Sequence, residues 1–237
     1  MSLFHFKQFS IHQDKTAMKV GTDGVLLGAW APIDDNPKSI LDIGTGTGLI
    51  ALMLAQRTNA EQIDALEISE NAFEQATENF DNSIWADRLY CYHAGLDEFI
   101  EEPDCEYDLI VCNPPFYSED FKTDDVDRNL ARFQDAMPFE EIVEAAELLL
   151  SENGTLAVII PFKEEEYFIK LCSQAELFPV KATRIRGSVT TNITRSLLAF
   201  KRYELSVINA NEIIIENNRH DYTEEYIELT KDFYLKM

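Results

Sequence analysis

From residue 39 onward, short apolar runs alternate with segments that carry helical periodicity. Short runs that are apolar throughout are typical of strands buried on both faces of a sheet. The pattern predicts strands at residues 39–43, 63–66, 89–93, 108–112 and 155–160, and helices at 47–57, 69–79, 139–150 and 163–175. This alternation favours right-handed strand–helix–strand units. We therefore predict an α/β fold, with a mostly parallel sheet and helices on both faces.

Two more β-rich stretches, residues 180–186 and 196–202, are separated by a Gly/Ser/Thr/Asn segment that suits a hairpin. We expect this C-terminal hairpin to form an antiparallel edge of the sheet. A chain of 237 residues, 46% of them hydrophobic, can bury one substantial core. The sequence thus predicts a single domain over residues 1–237. It would comprise a lead-in at 1–38, a core at 39–203 and a C-terminal extension at 204–237.

Targeting and cysteine patterns favour a cytoplasmic protein. The sequence contains no apolar run near the ~18 residues that span a bilayer, and its start lacks the pattern of a signal peptide. The four cysteines form no CxxC pair and none lies near histidines at metal-ligand spacing. We expect free thiols in a reducing compartment, no metal site and no membrane partner.

The charge of the chain is unevenly distributed. The net charge is −23, yet residues 179–203 contain no acidic residue and six basic ones, namely Lys181, Arg184, Arg186, Arg195, Lys201 and Arg202. This asymmetry predicts a basic face on an acidic body, and affinity for phosphates comes largely from such cations. Alternatively, the acidic excess is ordinary solvated surface and the basic segment consists of exposed strands. The sequence leaves both interpretations open.

A glycine-rich segment, Asp42-Ile43-Gly44-Thr45-Gly46-Thr47-Gly48, lies where the first predicted strand meets the first helix. Glycines at such a junction let the backbone turn sharply and approach a ligand closely. The nicotinamide fingerprint would need glycine at Leu49, and no Gly-Lys-Ser/Thr follows as in a P-loop. Glu67 ends the second strand, where a carboxylate suits ribose hydroxyls. It could equally be a solvated carboxylate near a helix start.

The motif Asn113-Pro114-Pro115-Phe116-Tyr117 follows the strand at 108–112. Its prolines fix φ and remove backbone donors, so the carbonyls of Asn113 and Pro114 can point outward. Together with the Asn113 side-chain oxygen, they could accept both hydrogens of a planar NH₂ group, while Phe116 offers a face for stacking. The alternative interpretation is a tight turn that ends a strand.

The pattern Asp-x-Gly-x-Gly-x-Gly resembles that of the class I methyltransferases, which have a Rossmann-like sheet. The resemblance implies that S-adenosyl-L-methionine is the cofactor, with its amino-acid end against Gly44, Gly46 and Gly48. It also implies that Asp42 serves the ammonium group and that Glu67 and Ile68 contact the nucleoside. An adenine-contacting aspartate of the family would fall at Ala94, so this chain departs from the pattern there.

Residues 13–30, the Asn-Pro-Pro-Phe motif, the segment 128–132 and the ending at 222–237 together resemble the bacterial tRNA1(Val) (adenine(37)-N6)-methyltransferase family. The resemblance implies N6-methylation of an anticodon-loop adenine, with Gly21–Gly24, including Thr22, closing over the cofactor. Read as structure alone, Thr22 or Asp23 is a helix N-cap. Substrate contacts are expected from the residues Pro115, Tyr117, Arg132, Arg184, Arg186 and Arg195. Arg128 and Arg132 lie in an acidic loop and could instead form internal ion pairs.

Three functions therefore compete on sequence grounds. The first is a tRNA adenine-N6 methyltransferase, expected to act as a monomer with tRNA as its partner. The second is a protein methyltransferase that modifies a glutamine side-chain amide, because that amide also offers a planar NH₂. Such an enzyme would be expected to carry tyrosine at Phe116 and a larger N-terminal domain. The third is a non-catalytic nucleotide-binding module, which would not need Asn113.

Overall fold

In the computed structural model, the described residues are 3–101, 105–115 and 137–237. The strands are β1 (Leu3–His5), β2 (Ser10–His12), β3 (Ser39–Ile43), β4 (Gln62–Glu67), β5 (Leu89–His93), β6 (Tyr107–Cys112), β7 (Leu150–Pro161), β8 (Phe178–Ser188), β9 (Ile193–Lys201), β10 (Asn209–Asn218) and β11 (Asp221–Tyr222). The helices are α1 (Thr22–Trp30), α2 (Leu49–Arg57), α3 (Glu70–Asp81), α4 (Leu96–Ile100), α5 (Phe139–Leu149), α6 (Glu165–Gln174) and α7 (Glu224–Thr230). A 3₁₀ turn at Phe162–Glu164 joins β7 to α6.

The main sheet of the described residues has the strand order β11-β10-β8-β9-β7-β6-β3-β4-β5. Strands β5, β4, β3, β6 and β7 are parallel, and β9 is antiparallel to both β7 and β8. The predicted α/β fold, mostly parallel with a C-terminal antiparallel hairpin, is therefore confirmed. The carboxyl ends of the parallel strands share one edge of the sheet, called here the carboxyl edge. Ligands bind at that edge in open α/β sheets.

The expectation that the hairpin β8–β9 forms the edge of the sheet is wrong. The strand β10 pairs in parallel with β8 along Asn209–Glu216, and β11 lies outside it. The run Ile213-Ile214-Ile215 makes β10 a good strand, with Ile213 buried in the core. An open β8 would leave a row of unpaired backbone groups, and the C-terminal extension provides their partner.

Both faces of the central strands are buried, and the residues of β3 and β6 alternate between two cores. In β3, Ile40 packs with α1, α2 and the N-terminal segment, whereas Leu41 and Ile43 pack with α5 and α6. In β6, Val111 joins the first core and Ile110 the second. This two-sided burial explains why the central strands are continuous apolar runs.

The chain before α1 is fastened to α3 by two buried amides. Asn79 exchanges hydrogen bonds with the backbone of His12, at 2.8 and 2.9 Å, and also donates to the carbonyl of Thr47 in the glycine-rich turn at 2.8 Å. The side-chain oxygen Oε1 of Gln75 accepts hydrogen bonds from the backbone N–H groups of Asp14 and Lys15, each at 3.0 Å. The N-terminal hairpin β1–β2 is thereby connected to the turn at the carboxyl edge.

The first and last segments of the chain meet. Phe6 forms an isolated antiparallel bridge with Tyr234, and the N–H of Lys7 donates to the carbonyl of Phe233 at 2.8 Å. The rings of Phe6 and Tyr234 stack with centroids 5.7 Å apart. Among the described residues, none of the helices combines the length and apolarity needed to cross a membrane.

Candidate active site

The turn between β3 and α2 requires glycine for its conformation. Gly44, Gly46 and Gly48 have φ values of +69°, +58° and +80°, where side chains are strained. A Cβ at Gly48 would also lie 2.5 Å from Cε1 of Phe80, whereas a Cβ at Gly46 would have no atom within 4 Å. The open side of the turn at Gly46 can therefore receive a ligand close to the backbone.

Asp42 is fully buried under this turn. Its Oδ2 accepts a hydrogen bond from the hydroxyl of Thr45 at 2.6 Å and one from the N–H of Ala51 at 3.2 Å. Its Oδ1 is buried and has no hydrogen-bond partner among the described residues. Burial raises the pKa of Asp42 to about 7, because the ionised form loses its hydration. One carboxylate oxygen thus shapes the turn, and the other lacks a donor.

Glu67, at the end of β4, is engaged by two backbone donors. Its Oε2 accepts from the N–H of Gly46 at 2.9 Å, and its Oε1 accepts from the N–H of Ser69 at 2.9 Å. Each carboxylate oxygen can accept more than one hydrogen bond, so capacity for hydroxyl groups remains. The side chain therefore has a local structural role, whether or not it binds ribose.

A side wall next to Glu67 combines apolar and aromatic groups. Ile68 is 74% exposed, and its Cδ1 lies 3.8 Å from the Cβ position of Gly95. The ring of His93 contacts the carbonyl of Ile68 at 3.1 Å and stacks on Phe73 with centroids 5.3 Å apart. An exposed isoleucine in this setting can cover one face of a planar ligand.

The Asn-Pro-Pro segment lies against the start of α1. Asn113 directly follows β6, and its Nδ2 is 4.0 Å from the Cβ position of Gly24. That position is also 3.1 Å from Cδ2 of Leu49, at the start of α2. A Cβ at position 24 would therefore crowd Leu49 and come into ordinary contact with Asn113. The structure thus brings Asn113, α1 and the glycine-rich turn to one place, with Pro114 buried and Pro115 half-buried beside them.

The helix α1 begins one residue earlier than an N-cap at Thr22 implies, and two residues earlier than an N-cap at Asp23 implies. Gly21 occupies the N-cap position, with no side-chain cap hydrogen bond. Thr22 is exposed at the start of the helix. Asp23 does not cap the helix because its Oδ2 accepts from Nε of Arg195 at 2.8 Å. Phe116, Tyr117, Arg128 and Arg132 lie outside the described residues.

The three arginines expected to bind RNA each pair with a carboxylate. Arg184 contacts Glu165 at 2.8 and 3.3 Å, Arg186 contacts Glu212 at 3.0 Å, and Arg195 contacts Asp23. Burial alone would raise the pKa of Glu165, but hydrogen bonds from Arg184 and Ser196 outweigh burial and lower it.

Other cations of residues 179–203 also contact protein groups, namely a ring, a carboxylate and backbone carbonyls. Nζ of Lys181 lies 4.4 Å from the ring centre of Trp30, and Lys201 pairs with Asp35 at 2.6 Å. Arg202 donates to the carbonyls of Glu147 and Leu150. The fold therefore brings acidic residues that are distant in the sequence to the cations of this segment.

Sequence reasoning missed three residues that hold the site together. Gln75 and Asn79 are buried polar residues on α3, and Asp23 anchors α1 to β9. Two amides at i and i+4 on an otherwise amphipathic helix were a usable signal, because buried amides need specific partners. The sequence contains no comparable signal for Asp23, since its partner Arg195 is 172 residues away.

The fold and the residue arrangement are those of a methyltransferase. Residues 24–171 match the methyltransferase small domain family. A predicted O-methyltransferase of Agrobacterium tumefaciens superposes with a TM-score of 0.69 at 19% identity, covering 89% of this chain and 96% of that one. The ribosomal protein L11 methylase of Lactobacillus delbrueckii gives 0.52 at 16% identity, covering 75% and 77%. These similarities show the class I methyltransferase fold.

Sequence relatives define the family within that class. A tRNA1(Val) (adenine(37)-N6)-methyltransferase of Flavobacterium johnsoniae is 72% identical over 99% of this chain and all of its own length. The protein of the same name from Haemophilus influenzae is 41% identical over the whole of both chains. The chain belongs to the tRNA1(Val) (adenine(37)-N6)-methyltransferase family. The resemblance read from residues 13–30 and 113–116 is confirmed, and the glutamine-amide alternative is not favoured.

Proposed function

We propose that this protein transfers a methyl group from S-adenosyl-L-methionine to N6 of adenine 37 in the anticodon loop of tRNA1(Val). The relatives that match its full length carry this activity in their names. The observation that carries the proposal in the structure is the position of Asn113. It stands at the end of β6, against Gly24 of α1 and beside the glycine-rich turn. We also propose that the protein acts as a monomer in the cytoplasm.

The residues around the glycine-rich turn fit this cofactor. The unpartnered Oδ1 of Asp42 suits an ammonium donor, directly or through a water molecule, and the open side of Gly46 admits the amino-acid end. Glu67 retains acceptor capacity for ribose hydroxyls, and the exposed Ile68 can cover the base. When bound, the cofactor supplies an electrophilic methyl group on a sulfonium. Gly44 and Gly48 give the turn the shape that this binding needs.

The substrate amine would be oriented by Asn113 and Pro114. The side-chain oxygen of Asn113 and the backbone carbonyl of Pro114 would accept the two hydrogens of the adenine amino group. This arrangement turns the nitrogen lone pair toward the methyl group, and the proton can leave late without a strong base. Phe116 would stack on the adenine, which must leave its own stack to reach the site.

Contacts with the rest of the tRNA would come from the carboxyl edge. Arg184, Arg186 and Arg195 all lie there, on β8 and β9. Together with Pro115, Tyr117 and Arg132, they remain our proposed substrate-binding residues. Their ion pairs give each guanidinium a fixed orientation, at the expense of part of its electrostatic attraction for phosphate.

The proposal is tested by mass spectrometry of nucleosides from tRNA incubated with the protein and isotope-labelled cofactor. Asn113→Ala should lower methyl transfer by a factor of about 100 or more, because it removes an interaction made in the transition state. Cofactor affinity measured by calorimetry should change little. Asn59→Ala, at an exposed site before β4, is the matched control and should retain full activity.

Two results would contradict this assignment. An Asn113→Ala enzyme with a third of the wild-type rate would remove Asn113 from the chemistry. A labelled nucleoside other than N6-methyladenosine, or equal labelling of tRNA that carries guanine at position 37, would refute the proposed substrate.

A further inference from the structure

The turn after β7 exposes an aromatic ring beside a cation. Phe162 is 37% exposed and begins the 3₁₀ turn directly after Pro161. Cζ of Arg184 lies over this ring, 5.4 Å from its centre. A single exposed apolar side chain is ordinary on a protein surface. Phe162 differs from such a residue because the guanidinium over its ring is itself held in place.

The guanidinium of Arg184 is held from the protein side by a buried carboxylate. Glu165 is 7% exposed, and it accepts hydrogen bonds from Nη2 of Arg184 at 2.8 Å and from Nε at 3.3 Å. The hydroxyl of Ser196 also donates to Glu165. A two-point contact of this kind fixes the plane of the guanidinium. The Arg184 side chain nevertheless remains 45% exposed, so the planar group is both fixed and accessible.

This ring and cation lie at the carboxyl edge of the sheet, as Asn113 does. The strand β7 is the neighbour of β6, with Val158 opposite Cys112. Phe162 is four residues past Val158, and Asn113 is one residue past Cys112. Phe162 therefore lies roughly 10 Å further along the strand direction than Asn113, and one strand to the side. Arg184 shares a strand face with Ala182, in the core of α5 and α6, whereas Asn113 lies against α1, so this site would receive a base other than the one held at Asn113.

We propose that Phe162 and Arg184 form a stacking site for a second unpaired nucleobase of the substrate RNA, with Glu165 as the positioning residue for Arg184. This inference rests on RNA being the substrate, as proposed above. Unpaired RNA bases are bound by stacking on aromatic rings and on arginine planes. Such a site gives affinity without reading the identity of the base, because every base has a π-face.

The first test replaces the ring. Phe162→Leu should weaken binding of an anticodon stem-loop RNA, measured by fluorescence polarisation, by at least about fivefold, since stacking contributes ~1–3 kcal/mol per base. KM for RNA should rise, while kcat and cofactor affinity stay the same. Phe162→Tyr should restore wild-type binding. Unchanged RNA affinity in a folded Phe162→Leu protein would overturn the proposal.

A matched control lies at the opposite edge of the sheet. Tyr203 is 46% exposed and lies under a cation, with Nζ of Lys201 5.6 Å from its ring centre. Tyr203→Leu removes an equivalent exposed aromatic residue and should not change RNA binding. An equal loss in both variants would mean that the effect is not specific to the Phe162 site, and would refute it.

The second test removes the negative charge of Glu165 and asks whether RNA affinity rises or falls. Glu165→Gln removes a negative charge, which by itself would strengthen RNA binding. The proposal predicts the opposite, a loss of several-fold, because Arg184 loses its fixed plane. Stronger binding by Glu165→Gln would show that Arg184 acts as a simple phosphate contact and would overturn the stacking role.

These results are separable from a failure of the proposed function. If the wild-type protein binds the stem-loop but methylates no adenine, the proposed function fails while the binding comparison still reports on Phe162. If methylation occurs and the Phe162 variants bind normally, only the stacking site is refuted.

Discussion

Single residues in this site have incomplete bonding that a ligand could complete. Asp42 is the clearest case, with one oxygen satisfied by Thr45 and Ala51 and the other buried without a partner. An ionised carboxylate in that position carries a desolvation cost that the folded protein bears. The cost is reflected in the pKa of Asp42, which burial raises to about 7.

This cost makes stability depend on pH in a defined direction. The folded-state pKa lies above the unfolded value, so the wild-type protein loses stability as pH rises from about 4 to about 7. Asp42→Asn can still accept the hydrogen bonds from Thr45 and Ala51, but it carries no charge. Between about pH 5.5 and pH 8, the unfolding free energy of Asp42→Asn should therefore gain roughly 2 kcal/mol relative to wild type.

Thermal and urea unfolding of both proteins, at several pH values, would measure this difference. Asp87→Asn, at an exposed position, is the control and should show the wild-type pH dependence. Parallel stability curves for Asp42→Asn and wild type would refute the assignment of the cost to Asp42. The same variant should bind the cofactor more weakly, because an amide attracts an ammonium group less than a carboxylate does.

The sequence was informative where function depends on local geometry. The glycines of the turn and the Asn-Pro-Pro motif act through the φ angles of a few consecutive residues. Glycine permits positive φ values and proline fixes φ, so both effects can be predicted from the sequence. The double engagement of Glu67 was not predicted, because it depends on how the turn after β3 meets the end of β4. The partners of the arginines were not predicted for the same reason.

At the scale of secondary-structure elements, α1 joins the two halves of the site. Its first turn lies beside Asn113 at Gly24, and Asp23 connects it to β9 through Arg195. Both side chains of the ion pair are about one-third exposed, so its direct contribution to stability is modest. We expect its main effect to be on the position of α1 relative to Asn113.

A charge exchange tests this connection. Asp23→Ala and Arg195→Ala should each reduce kcat by roughly tenfold, which corresponds to ~1.4 kcal/mol in the transition state. The double variant should be little worse than either single one, because both changes remove the same interaction. The swap Asp23→Arg with Arg195→Asp should recover part of the activity. Fully additive losses in kcat would show that the two residues act independently.

Element boundaries were predicted well for two short strands that turn signals bound on both sides. The predicted strands at 39–43 and 89–93 coincide with β3 and β5. The position of the β8–β9 hairpin at the edge was wrong because β10 follows β9 in the chain but pairs with β8, on the far side of the hairpin. Pairing between distant strands depends on the whole sheet, and a local pattern does not determine it.

At the scale of the molecule, the acidic surplus is partly used to neutralise the cations of the carboxyl edge. Arg186 and Glu212 illustrate the arrangement, with Nε and Oε1 3.0 Å apart and the Glu212 side chain 37% exposed. RNA must compete with these carboxylates for the arginines. We therefore expect a weaker salt dependence of RNA binding than three unpaired arginines would produce.

Removal of one competing carboxylate should strengthen RNA binding. Glu212→Gln should increase RNA affinity at low salt and steepen the plot of log affinity against log salt by roughly 0.7 unit, as for one additional contact to a single-stranded phosphate. Glu204→Gln removes the same charge after β9, at the opposite edge, and should have a smaller effect. Equal salt slopes for Glu212→Gln and wild type would exclude Arg186 from contact with phosphate.

The bridge between Phe6 and Tyr234 has a consequence for biosynthesis. A ribosome makes the chain from its N-terminus, so the strands β1 and β2 emerge more than 200 residues before the segment that packs on them. The N-terminal hairpin must wait for its Tyr234 partner until that residue has left the exit tunnel. Because the hairpin leads directly to the segment held by Gln75 and Asn79, we expect the enzyme to become fully active only after Phe233 and Tyr234 have been synthesised and packed on it.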